Sequence, residues 1–152
     1  MTAAAPVPRE DGRGGRIRQQ QEGAILQAAE QVFARAGFQG ATMAEIALRA
    51  GLPKSNLHYY FGTKAEVYRA VLGHILRLWL AETDSITPDA DPREALGHYI
   101  AAKMRLSAER PDASRVFANE LLHGAPEIGD YLRGELRALV ADKAQVIEGW
   151  IA

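Results

Sequence analysis

Six side chains that can bond to a nucleic acid crowd into the seven residues from Lys54 to Tyr60: Lys54, Ser55, Asn56, His58, Tyr59 and Tyr60. An asparagine amide can pair bidentately with adenine, and serine, histidine and tyrosine can reach bases or phosphates. A lysine neutralises a phosphate. Ten residues beyond Lys54 comes Lys64, just after Thr63. There the unpaired N–H groups of a new helix also attract anions. This is the chemistry of recognising a polyanion. The ingredients of bond-making are scattered by comparison. His58, His74, His98 and His123 stand far apart, and the one Glu-x-x-His pair, Glu120 and His123, has no second copy. A helical di-metal site needs that motif twice. No glycine-rich phosphate loop or local nucleophile motif occurs. The expectation is a binding protein rather than an enzyme, with no catalytic residue, no metal and no cofactor.

These residues need rigid elements to present them. Thr42 and Glu45 form the Thr-x-x-Glu signature of a capping box. Met43, Ile46, Ala47 and Ala50 then share one helical face. Gly51 breaks that helix, Leu52 and Pro53 complete a short turn, and a second helix runs from Lys54 to Phe61 with Leu57 and Phe61 inward. Two short helices joined through a glycine turn are a helix-turn-helix, here residues 41–61, whose second helix enters the DNA major groove. Upstream, Ile25, Ala28, Ala29, Val32, Phe33 and Ala36 predict a helix over Ile17 to Ala36, ended by Gly37. Downstream, a second capping box, Thr63 with Glu66, opens a long helix reaching about Glu82 with Val67, Tyr68, Val71, Leu72, Ile75, Leu78 and Trp79 on its apolar stripe. The segment Thr83 to Asp91 reads as a loop. Further helices follow. One is capped by Asp91 and carries Leu96, Tyr99, Ile100, Lys103 and Met104. The next, Ala113 to His123, carries Val116, Phe117, Leu121 and Leu122, and the last is opened by Pro126. No strand is expected.

The chain has 152 residues, 47% hydrophobic and 24% charged, which suits a globular fold. It has no cysteine, so neither disulfides nor thiolate chemistry is available. No apolar run approaches the ~20 residues of a membrane span, and the N-terminus lacks the pattern of a secretory signal. The expected location is the cytoplasm, with no membrane partner. The overall charge of −1 conceals a split. Residues 1–64 hold eight basic and five acidic side chains, a balance of +3; residues 65–152 hold ten and fourteen, a balance of −4. A positive N-terminal half suits a polyanion. Residues 1–15, rich in proline and glycine, read as a disordered tail.

The run from Ile25 to Tyr68 resembles the N-terminal domain of TetR-family transcriptional regulators. Its first-helix pattern, Phe38, Gly40, Thr42, Ile46-Ala47, Ala50-Gly51, Lys54, Leu57, Tyr59, Phe61, Thr63-Lys64 and Tyr68 carry the likeness. The remainder is similar to the family's pyrimidine-utilisation regulators. There the likeness rests on Leu78-Trp79-Leu80, Pro111 with Ala113-Ser114-Arg115 and Phe117, His123-Gly124-Ala125-Pro126, and Gly149-Trp150. The resemblance implies an all-α fold. Residues 16–78 would form a three-helix DNA-binding domain, joined by the long linking helix to a partial ligand-binding and dimerisation domain in 79–152. It implies a homodimeric repressor on palindromic double-stranded operator DNA, released by a small-molecule effector. Thr42, Lys54, Tyr59, Tyr60 and Lys64 match positions where the family contacts DNA. Two departures stand out: Pro53 where the family commonly caps with serine, and His58 where many members have tyrosine. By the same resemblance Trp79 lies against a flat base such as uracil or thymine; a buried amide must have its hydrogen bonds met, which makes Asn119 or His123 the expected polar partner. On pattern alone Trp79 is equally a core aromatic. Family members carry further helices that form the dimer interface. The chain is therefore expected to be a fragment or to lack the usual dimer surface. The alternative function is an interaction protein that titrates a longer partner and binds DNA poorly alone.

Overall fold

The computed structural model describes the backbone of residues 11–152 and the side chains from residue 14 onward. All its regular elements are helical. The first, α1 (Asp11–Gly40), breaks its helical path at Gly37, whose φ of 71° only glycine adopts without strain. The predicted stop is therefore where it was expected, but the helix begins earlier than Ile17. Residues 11–15, read as tail, are helical despite Gly12, Gly14 and Gly15; residues 1–10 lie outside the described residues. Next come α2 (Met43–Ala50) and α3 (Lys54–Tyr60). The linking helix is α4 (Lys64–Leu80), extended by a 3₁₀ turn at Ala81–Ser85. Two helices, α5 (Pro92–Glu109) and α6 (Pro111–Leu122), follow. The chain then runs through α7 (Gly129–Tyr131) and a π turn (Leu132–Leu136) into α8 (Arg137–Ile151).

One apolar core ties most of these together. Ile25, Ala29, Val32 and Phe33 of α1 pack with Ile46 and Ala47 of α2, Leu57 of α3 and Val67, Val71, Leu72 and Ile75 of α4. The same cluster takes in Ala113 and Val116 of α6 and Ile128 beyond it. A fully buried Val, Leu, Ile or Phe is worth about 1.5–3 kcal/mol relative to exposure. That reward fixes which face of each helix turns inward.

In two helices the inward face differs from the sequence reading. On α5, Ala95, Ala102 and Leu106 are buried, whereas Ile100 and Met104 are exposed. On α6, Ala113, Val116 and Glu120 face inward, and Leu121 and Leu122 lie outside. On α8 no side chain is fully buried. The physical reason is close approach. Small alanines let α5 and α6 come near their neighbours, so their larger apolar residues are turned to the rim.

Candidate nucleic-acid interface

The site is built on two helix starts and one anchor. The Thr42 hydroxyl accepts the backbone N–H of Glu45 at 3.1 Å, capping α2. The reciprocal half of that expected box is missing, because the Glu45 carboxylate instead accepts from Arg35 at 2.7 Å. At α4 the box is complete. Thr63 Oγ1 accepts from Glu66 N at 3.2 Å, and the Glu66 carboxylate accepts from Gly62 N and Thr63 N at 2.6 and 3.3 Å. Between the caps, Gly51 takes the left-handed conformation (φ 70°) and turns the chain from α2 into α3. Pro53 precedes α3 with φ −59°, a value its ring already imposes, and offers no side-chain cap.

Leu57, fully buried, pins α3 to the core. Because α3 makes fewer than two turns around that pin, its other residues must face out. Lys54, Ser55, Asn56, His58 and Tyr59 are all exposed, Tyr59 by 76%. Tyr60 is different. It is half-buried, its hydroxyl donates to Gln21, its ring meets Tyr59 edge-on at 5.3 Å, and the Arg18 guanidinium lies 5.9 Å from its centre. Tyr60 therefore braces α3 against α1. Lys64 is also held. Its Nζ donates to the carbonyls of Ala41 (3.0 Å) and Gln39 (3.4 Å) and sits 4.6 Å from the Phe38 ring centre. Thr42 is exposed with its hydroxyl committed to the cap.

The three residues expected around an effector do not share one place. Trp79, at the end of α4, meets Phe117 edge-on at 5.0 Å. Lys103 of α5 donates to its carbonyl at 2.9 Å, with Nζ 5.9 Å from the Trp79 ring and 5.2 Å from that of Tyr99. Burial lowers the Lys103 pKa from its usual value, opposed by the nearby Glu82 carboxylate. Asn119 and His123 line a separate cavity of about 470 Å³ with Phe38, Tyr68, Glu120 and Glu127, and the Asn119 carbonyl contacts His123 Nδ1 at 2.7 Å.

Two buried carboxylates join α6 to the helices before it, and of these the sequence reading singled out only Glu120, as half of the Glu-x-x-His pair. Glu30 of α1, 5% exposed, holds both oxygens against Arg110 Nη2 at 2.8 and 3.1 Å. Glu120, 2% exposed, accepts from the Tyr68 hydroxyl at 2.9 Å and from Glu127 N and Ile128 N at 2.7 and 3.2 Å. Those last two donors are delivered by a tight turn with Gly124 and Ala125 both at positive φ (87° and 54°). Burial first, then the Glu120 bond and charge, raise the Tyr68 pKa well above the usual phenol range, so Tyr68 is the donor. The signal for both carboxylates was present. Each glutamate falls on the inward face of its helix, Glu120 at i, i+3, i+7 with Ala113 and Val116.

Comparison with known proteins fits this architecture. Residues 25–71 match the family model described as bacterial regulatory proteins, tetR family. Residues 72–152 match that of the YcdC-like protein, C-terminal region. The chain belongs to the TetR family. It is 41% identical over 140 residues to the HTH-type transcriptional regulator RutR of Escherichia coli, covering 92% of this chain and 66% of that protein. It is 32% identical over 100 residues to the HTH-type transcriptional repressor NicS of Pseudomonas putida, covering 65% of this chain and 47% of that one. Among solved structures, a TetR family transcription regulator from Marinobacter aquaeolei superposes with a TM-score of 0.71 at 27% identity, over 88% of this chain and 70% of its own. A TetR-like transcriptional regulator from Rhodococcus gives 0.69 at 25% identity, over 95% and 73%. The chain thus spans just under two-thirds of the length of the RutR protein it matches. Among the described residues, no helix is long and apolar enough to cross a membrane.

Proposed function

We propose that this TetR-family chain binds double-stranded operator DNA as a homodimer, acts as a repressor, and is released by a small planar effector such as uracil or thymine. The observation that carries the DNA half of this reading is the exposed row Lys54, Ser55, Asn56, His58 and Tyr59 on a helix pinned by Leu57. Asn56 is assigned to a base edge. Lys54 and Tyr59 are assigned to phosphates, and Thr42 and Lys64 flank them at the two helix starts. Tyr60 contributes by holding α3 in place through Gln21.

The effector half rests on the likeness to the pyrimidine-utilisation regulators. The flat Trp79 ring would face the base, and Lys103, whose ammonium lies beside Trp79 and Tyr99, would donate to a ring carbonyl. Lys103 replaces Asn119 and His123 as the polar partner in this proposal, because those two line the other cavity. Signal transfer then runs along α4. Its 17 residues span about 25 Å at ~1.5 Å each, from Lys64 to beside Trp79. Tilting that rod changes the separation of two recognition helices that must match major grooves ~34–36 Å apart. An effector shifts this balance only by its unequal affinity for the two states.

The test is a titration of DNA-bound chain with uracil and thymine, following Trp79 fluorescence in a Trp150→Phe background. The reading expects quenching together with loss of DNA affinity. Unchanged emission and unchanged DNA affinity at millimolar pyrimidine would remove the pyrimidine reading.

A second reading draws on α8, where Val140 and Ile151 are 59% and 81% exposed. That face would suit a longer partner chain that this protein titrates away from DNA. The mass in solution with and without DNA separates the two readings.

A further inference from the structure

Of the two buried carboxylates, one has a counter-charge and the other has none among the described residues. Glu30 is matched by Arg110 at 2.8 Å. Glu120 is more deeply buried, and among the described residues no lysine, arginine or histidine lies within ion-pair distance of it. Its three donors are a phenol and two backbone amides. They satisfy hydrogen bonds but bring no net charge. A buried carboxylate without a cation is costly.

That carboxylate lines the cavity of about 470 Å³ between the end of α1, α4 and the end of α6. The volume lies in the range of small-molecule sites. Around Glu120 stand the Phe38 and Tyr68 rings, the Asn119 amide, His123 at an exposed edge, and the Glu127 carboxylate. Glu127 is matched by Arg69 at 2.9 Å, so Glu120 is the lining carboxylate without an ion pair; Lys64 comes close to the wall, its Nζ 4.6 Å from the Phe38 ring centre. Its Oε1 accepts two N–H groups, but Oε2 accepts only the Tyr68 hydroxyl and keeps a free acceptor direction. Aromatic faces beside a carboxylate favour a flat cation.

We propose that this junction cavity binds a small flat organic cation, an amidinium, guanidinium or arylmethylammonium, with its charge against Glu120 and its ring against Phe38 and Tyr68. This is a second ligand site, apart from the Trp79 region. Its regulatory meaning rests on the DNA-binding reading. The cavity wall includes Gln39, whose carbonyl holds Lys64, so an occupant would touch the support of a proposed phosphate contact.

The experiment is calorimetric titration of the whole 152-residue chain with benzamidine and with its neutral analogue benzamide. Benzamidine is expected to bind at least about tenfold more tightly, a difference of ~1.4 kcal/mol. Glu120→Gln keeps the shape and removes the charge, so it should abolish that preference. Equal affinities, retained preference in E120Q, or no benzamidine heat at ~10 mM would each overturn the assignment. Should E120Q fail to fold, His123→Trp at the exposed edge carries the test. It should block benzamidine, and undiminished binding would overturn the site. DNA affinity is measured separately. Loss of the DNA reading with benzamidine binding intact leaves the cation site standing.

Discussion

Removing the Tyr68 hydroxyl isolates the junction between the DNA-binding helices and α6. Tyr68→Phe leaves the ring in place, so its edge-on contact with Phe33 (4.9 Å) and its contact with Phe38 (5.0 Å) survive. What goes is one of three donors to a carboxylate that is 2% exposed. A hydrogen bond to a charged group is worth about 1.5–3 kcal/mol. For a chain this long, that corresponds to a fall in melting temperature of roughly 3–12 °C. Tyr60→Phe is the internal control. It removes a hydroxyl bonded to the neutral, half-buried Gln21, for which about 0.5–1.5 kcal/mol is expected. Urea denaturation of both variants, with the Tyr68→Phe/Glu120→Gln double mutant closing the cycle, measures the coupling directly. A Tyr68→Phe cost below about 0.5 kcal/mol, or no larger than that of Tyr60→Phe, refutes the claim that this bond holds the junction together.

Lys54→Ala and Tyr59→Phe should weaken binding to specific and random duplexes alike, whereas Asn56→Ala should lose ~1–3 kcal/mol of discrimination at one position; salt titrations on both duplexes decide, and equal losses for Asn56→Ala would remove it as a base reader. Thr63→Ala should cost about 1 kcal/mol or more in urea denaturation, and more than Thr42→Ala, because only the α4 box is reciprocated. His74 has its pKa lowered from 6.5 by burial first, then by Arg110 and Arg77, with Glu30 opposing. Below about pH 6.5 the unfolded chain therefore takes up a proton that the folded chain resists. Stability present above that pH should fall as pH drops through the lowered value, and His74→Gln should flatten the acid limb of melting temperature against pH. An identical slope in the variant contradicts this.

The helix-turn-helix was readable because its signals are local. Thr42, Gly37, Gly51 and the Thr63–Glu66 box act within four residues of themselves, and Leu57 declares its face by spacing alone. What could not be read depends on partners distant in the chain. Glu45 left its box for Arg35, ten residues back. Tyr60 and Lys64 look like free contact groups until α1 and its end supply Gln21, Gln39 and Ala41. Glu30 and Glu120 show their inward placement by spacing, but the partners that make their burial tolerable, Arg110 and Tyr68, lie 80 and 52 residues away. Ile100 and Met104 set a clear stripe, yet the packing of α5 follows Ala95, Ala102 and Leu106. Alanine is a weak periodic marker, so close approach between helices hid the true face. Trp79 and the pair Asn119 and His123 were joined by chemistry alone, and tertiary structure assigns them to different neighbours.

Sequence-specific recognition of DNA by α3 is open to selection from a pool of duplexes with a randomised core, whatever the operator sequence. The expected outcome is enrichment of a two-fold symmetric site with half-sites about one helical turn apart, bound about a thousandfold or more tightly than the starting pool at physiological salt. A pool that emerges unenriched from repeated selection, or a Lys54→Ala/Asn56→Ala variant that enriches the same site as strongly as the parent, would contradict it.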